Sequence, residues 1–282
     1  MDSFRRDGLT FDVRDAGPRD GVPVVLLHGF PQDSTAWNEV APLLHADGLR
    51  TLAPDQRGYS PMARPRGRAR YRVTETVGDL LALLDAAGLE SAHVVGHDWG
   101  AAVAWAAAAW HPERVRTLTA LSVPHPAAMQ KAFLTSDQGL RSYYMALFQL
   151  PVVPERLLLA RNGAALHRML LRGGLPEDVA SHYVARMREP GALSAALGWY
   201  RALPWSSRDA VGRVRVPTLH VWSTGDAFLG RSATESTSDF CHGEYRLEVL
   251  DGVTHWIPEL AADRVAELVT AHVRSPGQTA AT

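Results

Sequence analysis

The sequence contains a single cysteine, Cys241, among its 282 residues. One cysteine excludes both an intramolecular disulfide and a cysteine-based metal site. The chain also lacks an excess of either charge, because 29 basic and 30 acidic side chains give a formal net charge of −1. A nearly neutral chain has no general electrostatic attraction for nucleic acids or anionic membranes. We therefore expect neither of these as a partner.

Long apolar runs are missing as well. The N-terminal segment MDSFRRDGLTFDV has no apolar stretch of the kind found in signal peptides. The longest candidate for a membrane span, Val94 to Trp110, is interrupted by His97, Asp98 and two glycines. A spanning helix needs roughly 18 or more apolar residues. We therefore predict a cytoplasmic protein without a membrane span. The arginine-rich stretch at residues 64–72 is interpreted as a solvated loop.

Short apolar strands alternate with helical patterns in the first half of the chain. Strand–helix–strand alternation of this kind predicts an α/β fold, with a mostly parallel sheet and helices on both of its faces. The predicted strands are Val24–Leu27, Thr51–Ala53, Ala92–Val95, Val115–Leu121, Val216–Trp222 and Leu247–Leu250. An alanine-rich helix is expected at Ala101–Trp110, directly after one of these strands.

The alternation stops between about residues 125 and 212, where helical patterns dominate. It resumes with strand character from Val216 onward. We therefore predict one α/β core domain, made of residues 1–124 and 213–282. A helical cap domain of residues 125–212 is inserted into it.

Residues 96–100 read Gly-His-Asp-Trp-Gly at the end of a predicted strand and the start of a predicted helix. This is the G-x-S-x-G nucleophile elbow with Asp98 in the serine position. The two glycines permit a sharp turn that exposes Asp98 at the carboxyl edge of the sheet, where such folds keep their sites. An aspartate that only caps the helix is the alternative. It explains neither the flanking glycines nor the partners found downstream, so Asp98 is interpreted as a nucleophile.

Two further side chains follow in the order expected of a catalytic triad, nucleophile then acid then histidine. Asp226 follows the strand VPTLHVW, and His255 lies between the last strand and the final helix. Both positions are on loops at the same edge of the sheet as Asp98. Asp226 and His255 are therefore predicted to complete the triad. Histidines without such a context are expected to face solvent: His93, His167, His182, His242 and His272.

The segment HGFP at residues 28–31 follows another strand of the predicted sheet. An oxyanion hole in such folds takes one N–H from the residue after the nucleophile and one from this loop. The backbone N–H groups of Trp99 and Phe30 are the predicted donors. A tight structural turn at HGFP is compatible with the same role.

An aspartate nucleophile selects a particular chemistry. With a pKa near ~4, Asp98 is ionised at neutral pH and needs no base for its own attack on a saturated carbon. The product is an alkyl ester of Asp98. Its hydrolysis needs a water activated by His255, an imidazole held by Asp226, and the oxyanion donors.

The leaving group decides the first step. A halide leaves without a proton, whereas an opening epoxide produces an alkoxide that needs an acid beside it. Tyr144 and Tyr200 in the predicted cap are suitable donors, with ordinary pKa values near ~10. Each lies on an apolar helical stripe, and the pattern alone favours a packing role for both.

With these motifs in view, the chain resembles the α/β-hydrolase-fold epoxide hydrolases from about residue 20 to about residue 260. The motifs that carry the resemblance are HGFP, DQRGYS (55–60), GHDWG, SYYMALFQLP, GWYR and the THW around His255. The resemblance implies an α/β-hydrolase fold in which Asp98 is the nucleophile, served by Asp226 and His255. It also implies a small-molecule epoxide and water as the partners, and no metal or organic cofactor.

The resemblance further implies that Tyr144 and Tyr200 donate hydrogen bonds to the epoxide oxygen, with Tyr143 as an alternative to the first. Three more residues are expected to line the substrate pocket, although a packing role is open for each: Trp199, Phe228 and His125. The oligomeric state is left open, with a homodimer among the alternatives.

Two other functions compete with epoxide hydrolysis. Haloalkane and haloacid dehalogenases use the same triad. Many haloalkane dehalogenases, however, carry a halide-binding asparagine where this chain has Phe30. Fluoroacetate dehalogenases carry arginines near the elbow, where this chain has Ala101 and Ala102. The other competitor is a catalytically silent binding protein that retains the pocket, and an intact set of triad residues argues against it.

Overall fold

An eight-stranded sheet forms the centre of the computed structural model, which describes residues 1–275 apart from the side chains of residues 207 and 208. In chain order the strands are β1 (Ser3–Arg6), β2 (Leu9–Ala16), β3 (Val22–Leu27), β4 (Leu49–Pro54), β5 (Ala92–His97), β6 (Val115–Leu121), β7 (Thr218–Ser223) and β8 (Tyr245–Leu250). Their order across the sheet is β1-β2-β4-β3-β5-β6-β7-β8. Strands β3 to β8 pair in parallel, and β1 and β2 are antiparallel.

Helices cover both faces of this sheet and fill the chain between β6 and β7. In chain order the helices are α1 (Val40–Ala46), α2 (Val73–Ala86), α3 (Trp99–Trp110), α4 (Pro126–Thr135), α5 (Gln138–Arg141), α6 (Tyr143–Phe148), α7 (Val153–Arg172), α8 (Glu177–Arg188), α9 (Ala192–Ala202), α10 (Arg231–Glu235), α11 (Ile257–Leu260) and α12 (Ala262–Val273). Short 3-10 helices add Ser34–Trp37, Arg68–Tyr71, Leu203–Arg208 and Ser236–Phe240. The predicted α/β class and mostly parallel sheet are confirmed. No helix of the described residues is long and apolar enough to cross a membrane.

The two faces of the sheet have separate hydrophobic cores. Helices α2 and α3 pack on one face, where the alanine-rich α3 lies close to β5 and β6. Helices α1 and α12 pack on the other face around residues such as Leu44 and Val269. Because both faces are covered, the central strands are apolar on both sides. This explains why they read as continuous apolar runs.

The antiparallel hairpin of β1 and β2 was not predicted. Its turn is made by Asp7 and Gly8, whose φ angles are 50° and 76°. Positive φ at both positions is the geometry of a type I′ turn, for which Asp-Gly is a favoured sequence. The Asp-Gly pair was therefore a signal for this hairpin. Residues 276–282 of the predicted core domain lie outside the described residues.

The segment from α4 to α9 lies over the carboxyl ends of the strands. Phe148 and Tyr200 in this segment make edge contacts with Phe30 of the loop after β3, at ring-centroid distances of 5.7 and 5.5 Å. Below them the same loop meets the elbow after β5. The helical segment thus closes a space above the sheet edge. The limits of the two domains, at residues 125 and 212, stay a prediction.

The expectation that five histidines face solvent is wrong for two of them. His93 and His272 are buried, with exposed fractions of 3% and 7%. His93 lies on β5, which has helices over both faces, and its Nδ1 lies 2.7 Å from the hydroxyl of Thr117. His272 lies on the inner side of α12, with Nε2 3.3 Å from the carbonyl of Pro217. Local hydrogen-bond partners allow these polar rings to be buried.

Candidate active site

The elbow between β5 and α3 holds Asp98 in a conformation that is rare for a residue with a side chain. Its φ is 51° and its ψ is −122°. The neighbouring glycines are required by close backbone contacts. A Cβ on Gly96 would lie 2.3 Å from the carbonyl oxygen of Gly100, and one on Gly100 would lie 2.1 Å from that of Leu27. Strained backbone of this kind concentrates at functional sites, and here it presents Asp98 at the sheet edge.

The carboxylate of Asp98 has two polar neighbours. Its Oδ1 accepts a hydrogen bond of 2.8 Å from the backbone N–H of Phe30. Its Oδ2 lies 3.5 Å from Nε2 of His255, and the side chain is 15% exposed. Burial raises the pKa of Asp98, but the adjacent His255 outweighs burial and lowers the pKa below its ordinary value. Asp98 is therefore ionised at neutral pH.

His255 and Asp226 form the second half of the site. Nδ1 of His255 lies 2.8 Å from Oδ2 of Asp226, so the ring donates from Nδ1 and turns Nε2 toward Asp98. The other oxygen of Asp226 accepts from the backbone N–H groups of Phe228 and Leu229, at 2.8 and 3.0 Å. Burial lowers the pKa of His255, but the charges of Asp226 and Asp98 outweigh it and raise the pKa to about 10. The structure thus brings the three predicted triad residues together.

Tyr144 on α6 and Tyr200 on α9 lie opposite Asp98, with their rings 6.1 Å apart. The ring of Tyr200 makes an edge contact with Trp99 at 4.9 Å. Burial and the negative charge of Asp98 raise the pKa values of both tyrosines, so both hydroxyls keep their protons. Tyr143 borders the cavity that Tyr144 and Tyr200 line but is 75% exposed, so the structure favours the better-buried Tyr144 of the two.

Both tyrosines and Asp98 line one cavity of about 530 Å³ between the sheet edge and the helical segment. Among the residues that the structure describes, its wall contains no lysine, arginine or histidine, and Asp98 is its single carboxylate. A second cavity of about 360 Å³ adjoins the first. The two cavities share a wall made of Trp99, Ala102, Pro126, Gln130 and Leu203. The space around Asp98 is therefore apolar and surrounded by aromatic rings.

The three predicted pocket residues lie in three different places. Phe228 lines the first cavity and contacts the ring of His255 at 5.1 Å. Trp199 lines the second cavity, and its indole N–H donates to the carbonyl of Arg57 at 2.7 Å. Among the described residues, His125 borders neither cavity, so its expected pocket role is corrected.

His125 has a structural role at the start of α4. Its Nδ1 accepts from the backbone N–H of Ala127 at 3.1 Å, and its Nε2 lies 3.0 Å from the carbonyl of Gly212. The ring also stacks on Phe240 at 4.9 Å. Pro126 at the first helical position makes the preceding residue a natural N-cap. The ring is consequently held away from the cavity.

The sequence did not reveal the polar groups behind His255. The carbonyl oxygen of His255 accepts from the hydroxyl of Ser122 at 3.2 Å and lies 2.8 Å from Nε2 of His97. His97 in turn contacts Gln32, which follows the HGFP loop. The one available signal was the position of His97 inside the elbow. No group of three or more metal-binding side chains occurs within residues 1–275.

Comparison with known proteins places this geometry in a family. The sequence profile described as "alpha/beta hydrolase fold" matches residues 22–262. The AB hydrolase superfamily protein YfhM of Bacillus subtilis is 37% identical over 277 residues, which cover 95% of this chain and 96% of that protein. Epoxide hydrolase A of Mycobacterium tuberculosis is 33% identical over 296 residues and covers 90% of each chain.

A solved structure agrees with these relatives. The crystal structure of epoxide hydrolase A from Mycobacterium thermoresistibile is similar at a TM-score of 0.84 and 28% identity, with 97% of each chain covered. The likeness therefore extends through both the sheet and the helical segment above it. The chain belongs to the α/β-hydrolase fold family and, within it, to the family of the epoxide hydrolases.

Proposed function

We propose that this protein hydrolyses epoxides to vicinal diols through an alkyl ester of Asp98. One observation carries the proposal: an ionised carboxylate at a strained elbow faces two protonated tyrosines across an apolar cavity. A carboxylate alone would suit several displacement reactions. The tyrosines add the acid that an alkoxide leaving group requires.

The first step forms the ester. Oδ1 of Asp98 is held by the N–H of Phe30, which leaves Oδ2 to attack an epoxide carbon. The new bond joins Oδ2 to carbon, and the carbon–oxygen bond of the ring breaks. The ring oxygen takes a proton from Tyr144 or Tyr200 and becomes the first hydroxyl of the diol. The tyrosinate left behind accepts the proton that His255 carries in the free protein.

The second step hydrolyses the ester. His255 removes a proton from water, and the resulting hydroxide adds to the carboxyl carbon of Asp98. The N–H of Phe30 already points at Oδ1, where the oxyanion develops, and we assign the second donor to the N–H of Trp99. Collapse of the intermediate releases the diol with its second oxygen from Asp98. The hydroxyl proton of the intermediate passes to the leaving oxygen, and His255 keeps the proton taken from water. The ring thereby regains its protonated resting state, and epoxide and water are the sole reactants.

Ester formation itself prepares His255 for this second role. In the free protein the charges of Asp226 and Asp98 hold the pKa of His255 at about 10, so the ring is protonated and cannot act as a base. An esterified Asp98 is neutral and no longer stabilises the imidazolium. The pKa of His255 therefore falls after the first step, and its proton passes to the tyrosinate formed in that step. The neutral ring can then accept a proton from water.

The cavity also favours a neutral, apolar epoxide. Within the described part of the chain, no cationic side chain lines it to pair with a carboxylate on the substrate. Apolar surface is supplied by Phe228, Phe133, Met129 and Val123. This lining counts against a haloacid as substrate. The relatives named epoxide hydrolase A lend further support. Carbon–halogen hydrolysis by the same triad is the competing activity.

Mass spectrometry of the His255→Ala variant tests the proposal. Without the base, incubation with an apolar epoxide such as styrene oxide should leave a covalent adduct on Asp98, with a mass increase equal to the whole epoxide. Wild-type protein should release diol from the same compound. A haloalkane of matching size is the control for the competing activity. Absence of both adduct and diol would identify a catalytically silent homologue.

A further inference from the structure

A chain of buried polar groups runs behind His255 and reaches helix α8. The hydroxyl of Tyr183 on α8 donates to Oε1 of Glu259 at 2.8 Å. The amide of Gln32 donates to the same oxygen, also at 2.8 Å. Glu259 lies on α11, one helical turn beyond His255 in the sequence. It thus receives one hydrogen bond from the helical segment above the sheet and one from the loop after β3.

Gln32 connects Glu259 to His97 in the elbow. Its Oε1 accepts from the backbone N–H of Gly29 at 2.9 Å, which fixes the orientation of the amide because that N–H can only donate. The same oxygen lies 2.9 Å from Nδ1 of His97. Nε2 of His97 lies 2.8 Å from the carbonyl oxygen of His255. Three contacts therefore lead from the carboxylate of Glu259 to the backbone of the predicted base.

The hydrogen bonds on the two sides of His97 require one proton more than a neutral ring can supply. Both ring nitrogens of His97 face carbonyl oxygens, and each contact needs an N–H from the ring. A neutral imidazole supplies one N–H and an imidazolium supplies two. Burial and the charge of His255 lower the pKa of His97. A negative charge on Glu259, connected through Gln32, acts in the opposite direction. The protonation of His97, and with it the two hydrogen bonds of its ring, is consequently sensitive to the charge of Glu259.

The electrostatics point the same way. Burial raises the pKa of Glu259 above its ordinary value, and the hydrogen bonds from Gln32 and Tyr183 and the charge of His255 offset that rise in part. Interactions between charges are reciprocal, so an ionised Glu259 favours the imidazolium form of His255. In the ester intermediate Asp98 is neutral, and the carboxylates left to stabilise that imidazolium are Asp226 and Glu259. Oε2 of Glu259 is buried and has no hydrogen-bond partner among the described residues.

We propose that Glu259 is a positioning residue for His255 in ester hydrolysis. Through Gln32 and His97 it holds the carbonyl of His255, and its negative charge supports the imidazolium that forms when water is deprotonated. Tyr183 extends this control to helix α8, since its hydroxyl shares the carboxylate. This role rests on the proposed function, because it concerns the ester of Asp98.

Single-turnover kinetics of Glu259→Gln separate this role from general damage. The substitution keeps the shape and the hydrogen-bond acceptor but removes the charge. Ester hydrolysis should slow roughly 10-fold, by analogy with the loss of a group that orients a metal-binding histidine, while ester formation changes less than about twofold. The acid limb of hydrolysis, which reports the pKa of His255 in the ester, should move to lower pH.

Two further variants keep the test independent of folding. Tyr183→Phe removes a hydrogen bond that lowers the pKa of Glu259, so the acid limb should move in the same direction as in Glu259→Gln but less far. Glu113→Gln removes one exposed carboxylate and is the matched control for net charge; it should leave both steps unchanged.

A wild-type rate of hydrolysis together with an unmoved acid limb in Glu259→Gln would overturn the proposed role. Equal loss of both steps with a lowered melting temperature would also overturn it, as a purely structural effect. If wild-type protein forms no ester with any epoxide, the proposed function itself fails instead.

Discussion

The sheet edge and the helical segment from α4 to α9 form opposite walls of one cavity, and they do so by different means. At the sheet edge Asp98, Asp226 and His255 are charged, and each is held by directed hydrogen bonds. Across the cavity Tyr144 and Tyr200 are held by ring packing, with Phe148 between them at 5.5 and 4.9 Å. One wall is therefore positioned by backbone and charge, and the other by shape.

This difference separates the two proposed steps. Apart from the tyrosinate that takes the proton of His255, the groups that react in ester hydrolysis lie at the sheet edge. Formation of the ester needs one group from each wall, the carboxylate from the sheet and a proton from the helical segment. Removal of the tyrosine hydroxyls at the cavity should therefore act mainly on the first step. Changes behind His255 should act on the second.

The largest effect is expected when the hydroxyls of the upper wall are removed. Tyr144→Phe and Tyr200→Phe should each slow ester formation roughly 10- to 100-fold, and the double variant by ~10³-fold or more, because the alkoxide loses its acid. Rapid-quench measurement of the Asp98 adduct follows this step directly. Haloalkane turnover, which needs no acid, should change much less if it occurs at all.

The neighbouring tyrosine provides a matched control for this pair. Tyr143 is exposed and lies one residue from Tyr144 on the same helix. Tyr143→Phe should leave ester formation unchanged. A loss equal to that of Tyr144→Phe would contradict the assignment of the upper wall, as would full activity in the double variant.

The sheet edge could be predicted from sequence because its signals are contiguous. Gly96 and Gly100 stand two residues to either side of Asp98, and the backbone contacts that require them are local. Asp226 and His255 each follow a strand of a parallel sheet, whose carboxyl ends meet at one edge. The fold itself was predicted from the same alternation of strands and helices.

The upper wall and the polar chain could not be derived in this way. Helix α6 has only six residues, too few for periodicity to separate Tyr143 from Tyr144, so the choice depended on a family resemblance. Glu259 meets Gln32 across 227 residues of sequence, and no spacing rule predicts such a contact. The expected pocket role of His125 was wrong because its signal was local but ambiguous. A histidine after a strand can belong to a site, whereas Pro126 makes this one a helix cap.

A smaller effect is expected on stability at alkaline pH. The folded-state pKa of His255 is raised to about 10, above its value of roughly 6.5 in an unfolded chain. Its contribution to the free energy of unfolding is therefore fully present below about pH 6.5 and is lost as the pH rises toward 10. Denaturant unfolding of wild type and His255→Gln at pH 6 and pH 10 measures this difference. The advantage of wild type should shrink with rising pH; a constant gap would contradict the charged imidazolium.

The smallest effect on stability should come from the ion pair between the helical segment and the sheet domain. Nε2 of His182 on α8 lies 2.8 Å from Oδ2 of Asp33, which also contacts Arg186. The hydrogen bond to Asp33 raises the pKa of His182, so its stabilising contribution is present below about pH 6.5 and disappears as the pH rises above the folded-state pKa. Because His182 is 41% exposed, solvent screens the pair, and His182→Gln should lower the free energy of unfolding by at most ~0.5 kcal/mol at pH 5.5. The same variant should match wild type at pH 8.5. A larger loss that persists at pH 8.5 would mean that the helical segment is held here by packing of the ring, as it is around Phe148, and not by charge.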